Sequence, residues 1–137
     1  MIFEFQKRIY GYECDVYGHL NNANYLQLLE AARVEAMIKM GMSIKRMREL
    51  NLQILIRNFN LDYKRAIQHE DLITIRSWFD EITRIKQHWI QQIYDSSGKL
   101  CFEAQMLGVF ASEGRAQRLP MEVFEVFHLY QETKAPS

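Results

Sequence analysis

One long apolar helical stripe, with strand pattern on both sides of it, constrains this chain more than any other feature. From about Ala23 to Met40, the residues Tyr25, Leu28, Leu29, Ala32, Ala36 and Met40 recur at three- and four-residue spacings, which gathers them on one helical face. Asn21 and Asn22 precede the stripe, and either side chain can accept from the unpaired N–H groups of a first helical turn. Gly41 stands where a left-handed residue would close the helix, and Glu30 with Arg33 and Glu35 with Lys39 are spaced to pair along its surface. The spacing predicts a helix with both ends marked and one face to bury.

The rest of the chain reads mainly as strand. Phe3, Phe5 and Ile9 alternate with Glu4, Gln6 and Arg8 in the two-residue period of a half-buried strand. After a short second helix over about Ser43 to Leu50, strand pattern covers Ile54 to Ile67, Leu72 to Ile82, Ile85 to Tyr94 and Leu100 to Phe110. Asp95, Ser96, Ser97 and Gly98 form a turn between two of these, which favours an antiparallel hairpin, and Pro120 can open a last helical turn carrying Val123, Phe124 and Phe127. An antiparallel sheet with one apolar face needs a cover, and the long helix is the only element that reaches across it. The expectation is an α+β fold, a five-stranded antiparallel sheet wrapped around a central helix, with 1–137 as a single domain.

Composition narrows the function. The chain carries 17 Lys+Arg against 17 Asp+Glu, a formal net charge of zero, so no basic face is imposed and nucleic acid is not an expected partner. Glu4, Lys7 and Arg8 interrupt the apolar core a secretory signal would need, and no apolar run approaches the length of a membrane span. A cytoplasmic protein with Cys14 and Cys101 as free thiols is expected.

Chemistry concentrates in Asp15-Val16-Tyr17-Gly18-His19-Leu20-Asn21-Asn22, between the first strand and the long helix. A carboxylate, an imidazole and a helix N-terminus fall within eight positions, and helix N-terminal N–H groups stabilise developing negative charge. Together they suit attack on a carbonyl. A solvated aspartate is a weak base toward water at neutral pH, so Asp15 would act either as a base strengthened by burial or as a nucleophile forming a transient anhydride. Cys14 is a poorer candidate nucleophile, because neighbouring residues at a strand end face opposite sides. His19, His69, His88 and His128 lack metal-ligand spacing, and His69-Glu70-Asp71 reads as a solvated turn.

Asp15-x-x-Gly18-His19-x-Asn21-Asn22-x-x-Tyr25, followed by Glu30-x-x-Arg33, resembles the hotdog-fold thioesterases, in the branch of the 4-hydroxybenzoyl-CoA thioesterases and bacterial acyl-CoA thioesterases. The resemblance implies a hotdog fold and hydrolysis of acyl thioesters of coenzyme A or acyl carrier protein. It also implies that no metal or organic cofactor is needed, and a homodimer or tetramer with active sites at the dimer interface. Asp15 falls on that branch's catalytic aspartate, and Asn22 where a backbone N–H polarises the thioester carbonyl. Plant acyl-carrier-protein thioesterases show a similar Asp-x-Asn-x-His-x-Asn-Asn run. Asp15 and His19 match it, whereas Tyr17 stands in place of its middle Asn.

Asn21, Tyr25 and Glu30 are the candidate substrate-binding residues, although capping accounts for Asn21, and a core or interface role equally accounts for Tyr25 and Glu30. Met37, Met40, Met42 and Met47 would fill core or pocket walls. Arg57, Lys64, Arg65 and Lys86 are candidates for the phosphates of coenzyme A. Two other functions fit the same fold: an enoyl-CoA hydratase or dehydratase, for which the spacing of Asp15 and His19 is unsuited, and a non-catalytic acyl-CoA binding module.

Overall fold

The computed structural model describes residues 1–132. The N-terminal strand β1 is Phe3–Arg8, and the long helix α1 is Tyr25–Lys39. A short helix α2, Ile44–Glu49, is followed by β2 (Gln53–Tyr63), β3 (Leu72–Ile82), β4 (Lys86–Tyr94) and β5 (Leu100–Ser112). A two-residue strand β6 (Arg115–Ala116) and a helix α3 (Met121–His128) complete the order. The strands lie β1-β3-β4-β5-β2, every pairing is antiparallel, and α1 packs against the sheet, as the hotdog resemblance implied.

Three differences from the sequence reading have physical causes. The sheet has six strands, because the chain turns back at Glu113-Gly114 and pairs Arg115–Ala116 with the end of β5. The second strand stops at Tyr63 instead of reaching Ile67, since Lys64 and Arg65 both donate their N–H to the Cys101 carbonyl and the chain leaves the sheet there. A register shift between Ile56 and Asn58 also exchanges the faces of β2, so Ile54 and Phe59, of opposite parity, both pack against the core.

The helix begins with a 3-10 turn, Asn22–Asn24, and Asn21 is its cap: its side chain accepts from the Ala23 N–H at 2.9 Å. Gly41, at φ +76°, ends α1 in the left-handed conformation the sequence suggested. The expected surface pairs are absent among the described residues. Arg33 is turned inward instead, 7% exposed, and donates from Nη1 to Gln91 Oε1 at 2.9 Å.

Two apolar clusters make up the core, and a polar seam divides them. Leu28, Leu29, Ile73, Ile93 and Phe102 belong to the cluster under the start of α1. Met37, Phe79, Trp89, Phe110 and Phe127 belong to the other, where α3 contributes Val123 and Phe127. Along α1, β3 and β4, the residues Arg33, Ser77 and Gln91 fall between the two. Gln91 Nε2 donates to the Leu29 carbonyl at 3.0 Å and to Ser77 Oγ at 2.9 Å, so this buried amide uses both its donor and its acceptor. Burial lowers the Arg33 guanidinium from its ordinary 12.5 to about 10, against a partly offsetting pull from Glu30 one turn earlier, and it remains a cation at neutral pH.

Candidate active site

The loop between β1 and α1 is held at both ends. Glu13, buried, accepts from the Tyr10 N–H at 2.8 Å and from Lys7 Nζ at 2.7 Å, which anchors the loop to the end of β1. Its carbonyl accepts from the Asn21 N–H at 2.9 Å and from Asn24 Nδ2 at 3.0 Å, which anchors the loop to the start of the helix. Between these anchors the chain doubles back. Cys14 bridges Leu20, the Asp15 N–H donates to the His19 carbonyl at 2.8 Å, and Gly18 at φ +75° makes the reversal.

Asp15 sits at the head of this reversal. Its Oδ1 accepts from the Tyr17 N–H at 2.9 Å and the His19 N–H at 3.3 Å, an Asx-type turn that fixes the side chain. Its Oδ2 has no hydrogen-bond donor among the described residues. The His19 ring bonds no carbonyl among the described residues, so the loop is held by its backbone bonds and by the side chains of Glu13, Asp15 and Asn24.

Asp15, His19, Asn22 and Tyr25 all line one cleft of about 260 Å³, together with Tyr63, Lys64 and Arg65. Of the amides at the start of the helix, Asn21 donates to Glu13, Ala23 to the Asn21 side chain and Asn24 to the Asn21 carbonyl. Asn22, first in its 3-10 turn, has no acceptor earlier in that turn and makes no other bond among the described residues, so its N–H is the donor left over. Tyr63 Oη donates to the Asn22 carbonyl at 2.9 Å and holds the next peptide, between Asn22 and Ala23, from the sheet side.

Tyr25 forms the inner wall. Its ring lies 4.6 Å from Phe102 and 4.9 Å from Tyr63, centroid to centroid, and burial pushes its phenol up to about 12. Lys64 binds Asp62 at 2.7 Å, which raises the ammonium above its ordinary value. Cys14 packs beside the core with its thiol toward the Tyr10 carbonyl and is absent from the cleft wall, while burial raises its thiol.

The remaining sequence candidates separate. Glu30 lies on a different cavity with Arg33 and Trp89, and Asn21 acts at the cap. Arg57 and Lys86 are away from the cleft, and Lys86 pairs with Glu81 at 3.3 Å. Glu13, Asn24 and Tyr63 were not among the sequence candidates. Asn24 adjoins the motif and Tyr63 adjoins the Lys64-Arg65 pair, whereas nothing in the sequence marks Glu13 as a buried carboxylate. No group of three His, Cys, Asp or Glu side chains among the described residues could hold a metal ion, and no described helix is long and apolar enough to cross a membrane.

A family model, the thioesterase-like superfamily, matches residues 11–127 and so takes in the loop, α1 and all of the sheet except β1. The chain belongs to the thioesterase-like superfamily. Within it, 77 residues are 36% identical to the long-chain acyl-CoA thioesterase FadM of Escherichia coli (strain K12), a match covering 56% of this chain and 58% of that one. Two solved structures share the fold at lower identity. The DHNA-CoA thioesterase of Staphylococcus aureus superposes with a TM-score of 0.87 at 19% identity, covering 93% of this chain and 89% of that one. SAV2348 of the same organism, solved in complex with CoA, gives 0.88 at 14% identity, covering 100% of this chain and 90% of that one.

Proposed function

We propose that this chain hydrolyses acyl-CoA thioesters at the cleft between the Asp15 loop and the start of α1. One observation carries the proposal: Asp15, whose Oδ2 has no donor among the described residues, and Asn22, whose N–H has no acceptor among them, line the same cleft. The thioester carbonyl oxygen accepts from the Asn22 N–H, which meets the charge that develops as the carbonyl carbon turns tetrahedral. Asp15 either removes a proton from the attacking water or attacks the carbon itself, in which case water opens the resulting anhydride. In both routes the C–S bond breaks, the acid is released, and the thiolate takes up a proton. His19 on the same wall is the group assigned to relay it from solvent, and the proton that Asp15 takes from water returns to solvent.

Lys64 and Arg65 are assigned to the phosphates of coenzyme A, as the two cations on the cleft wall. The CoA complex of SAV2348, a structural neighbour, supports the ligand class. The proposal includes a homodimer formed along β2. This strand is a sheet edge, and Leu55, Ile56 and Tyr63 on it are 43%, 52% and 48% exposed, which is costly for a monomer and suited to a twofold mate.

Thiol release from a panel of aliphatic and aromatic acyl-CoAs tests the reading, run beside water addition to an enoyl-CoA and equilibrium binding of acyl-CoA. Catalytic thiol release is the expected result. Hydration without thiol release would assign the chain to the hydratases, and saturable binding without turnover would make it a carrier.

A further inference from the structure

Tyr25 carries a hydroxyl that the packing of the fold does not use. The residue opens α1 and is 3% exposed, with its ring tilted against Phe102 and edge-on to Tyr63. A phenylalanine would fill that aromatic wall as well. The neighbouring Tyr63 uses its Oη on the Asn22 carbonyl, whereas Tyr25 Oη makes no hydrogen bond among the described residues.

A hydroxyl left unpaired inside a fold is costly unless it keeps access to water or to a ligand. The described residues leave two fully buried polar side-chain atoms without a partner, Arg76 Nε and Gln87 Nε2. Tyr25 Oη is neither of these, so part of the little surface this residue keeps belongs to its hydroxyl. Tyr25 lines the cleft that Asp15, His19 and Asn22 line, and this is the space the hydroxyl meets.

Two features bring that hydroxyl toward the Asn22 N–H. Helical side chains tilt toward the N-terminus and cover the turn before their own Cα, so the first residue of α1 leans over the Asn22–Asn24 turn. Tyr63 also touches both groups: its ring centroid is 4.9 Å from that of Tyr25, and its hydroxyl reaches the Asn22 carbonyl at 2.9 Å. Burial pushes the Tyr25 phenol up to about 12, so at neutral pH it holds its proton and donates.

We propose that Tyr25 Oη is a second donor to the thioester carbonyl oxygen, which is held between this side chain and the backbone of Asn22. The identity of the substrate rests on the thioesterase reading. A carbonyl oxygen has two lone pairs, and one amide N–H meets only one of them as charge builds. The electron pair of the C=O bond moves to oxygen when the carbon turns tetrahedral and returns as the C–S bond breaks. Tyr25 keeps its proton throughout.

The test uses an acyl-CoA analogue with a methylene in place of the sulfur, a ketone that keeps the carbonyl and resists hydrolysis, isotopically labelled at that carbon. Infrared difference spectra read its carbonyl stretch in the bound state. Two donors weaken the C=O bond more than one, so the stretch is expected to lie lower in wild type than in Tyr25→Phe. Tyr25→fluorotyrosine supplies a stronger donor and is expected to lower it further, a direction that lost packing does not produce. On acyl-CoA substrates, Tyr25→Phe is expected to lower kcat by about a hundredfold, with KM within about threefold of wild type and the thermal midpoint preserved. A stretch that ignores both substitutions, a ketone that does not bind, or a Tyr25→Phe variant with kcat intact would overturn the inference, and continued thiol release would leave the thioesterase reading standing. Absence of thiol release from every acyl-CoA, with the stretch still following residue 25, would overturn the thioesterase reading and support Tyr25 as a carbonyl donor.

Discussion

Asn24 donates from Nδ2 to the Glu13 carbonyl at 3.0 Å, and this bond spans the two halves of the candidate site. Glu13 precedes Asp15 by two residues, and Asn24 closes the turn that exposes the Asn22 N–H. Asn24 touches no substrate atom in the proposed reaction, so it is a positioning residue. Asn24→Ala is expected to lower kcat by about tenfold, as misplaced reacting groups do, with KM changed by less than about threefold. Asn24→Asp keeps the shape, but as a carboxylate has no donor, and should match the alanine variant. Steady-state kinetics on both variants check this, since loss of folded protein alone would not reproduce the kcat-specific pattern in both.

Lys64 and Arg65 differ from the other candidate cations in lining the Asp15 cleft. Replacing both with Ala is expected to raise KM for an acyl-CoA by about tenfold at low ionic strength, with a smaller effect at high salt. An acyl-pantetheine, which lacks the nucleotide phosphates, should show no such change. Equal losses on the two substrates would remove these residues from phosphate recognition.

The seam through the core leaves Arg33 dependent on Gln91. Gln91→Leu removes the acceptor of a buried cation and should destabilise the fold by about 3 kcal/mol. Arg33→Met combined with Gln91→Leu removes both partners and should restore more than half of that loss. Chemical denaturation of the two single variants and the double measures the coupling.

Tyr25 makes alkaline stability informative. Its phenol is held at about 12 in the fold, above the ordinary 10.0, so the folded chain keeps a proton that the unfolded chain releases. The contribution is fully present below pH 10 and is lost as the pH rises toward 12, on the order of 2 kcal/mol in all. Tyr25→Phe should lose stability less steeply than wild type over that range, as urea midpoints at successive pH values would show. Parallel curves would contradict the burial of this phenol.

What was legible in the sequence follows from how local each signal is. The ends of α1, the Asp95–Gly98 turn and the strand pattern depend on neighbouring residues, and the structure has them. The two-residue β6 is too short to carry a period, and the shift between Ile56 and Asn58 breaks parity in a way composition does not mark. Asp15, His19, Asn22 and Tyr25 share a cleft because all four fall on one short stretch, the loop and the turn that opens α1. Tyr63, Lys64 and Arg65 reach it from the far end of β2, a tertiary relation that spacing does not encode. Arg33 reads as a surface partner for Glu30 by spacing, yet its direction was decided by an acceptor 58 residues away, Gln91.

The central claim is that the Asp15 carboxylate performs the chemistry at the Asn22 N–H. Single-turnover hydrolysis of the best acyl-CoA by Asp15→Asn tests it, with the thermal midpoint and acyl-CoA affinity measured on the same sample. The variant can still accept from the Tyr17 and His19 N–H groups through its amide oxygen, so the loop is expected to hold. The account predicts a rate lower by about a thousandfold or more, with affinity and midpoint close to wild type. A rate within about threefold of wild type in a folded, substrate-binding variant would contradict it.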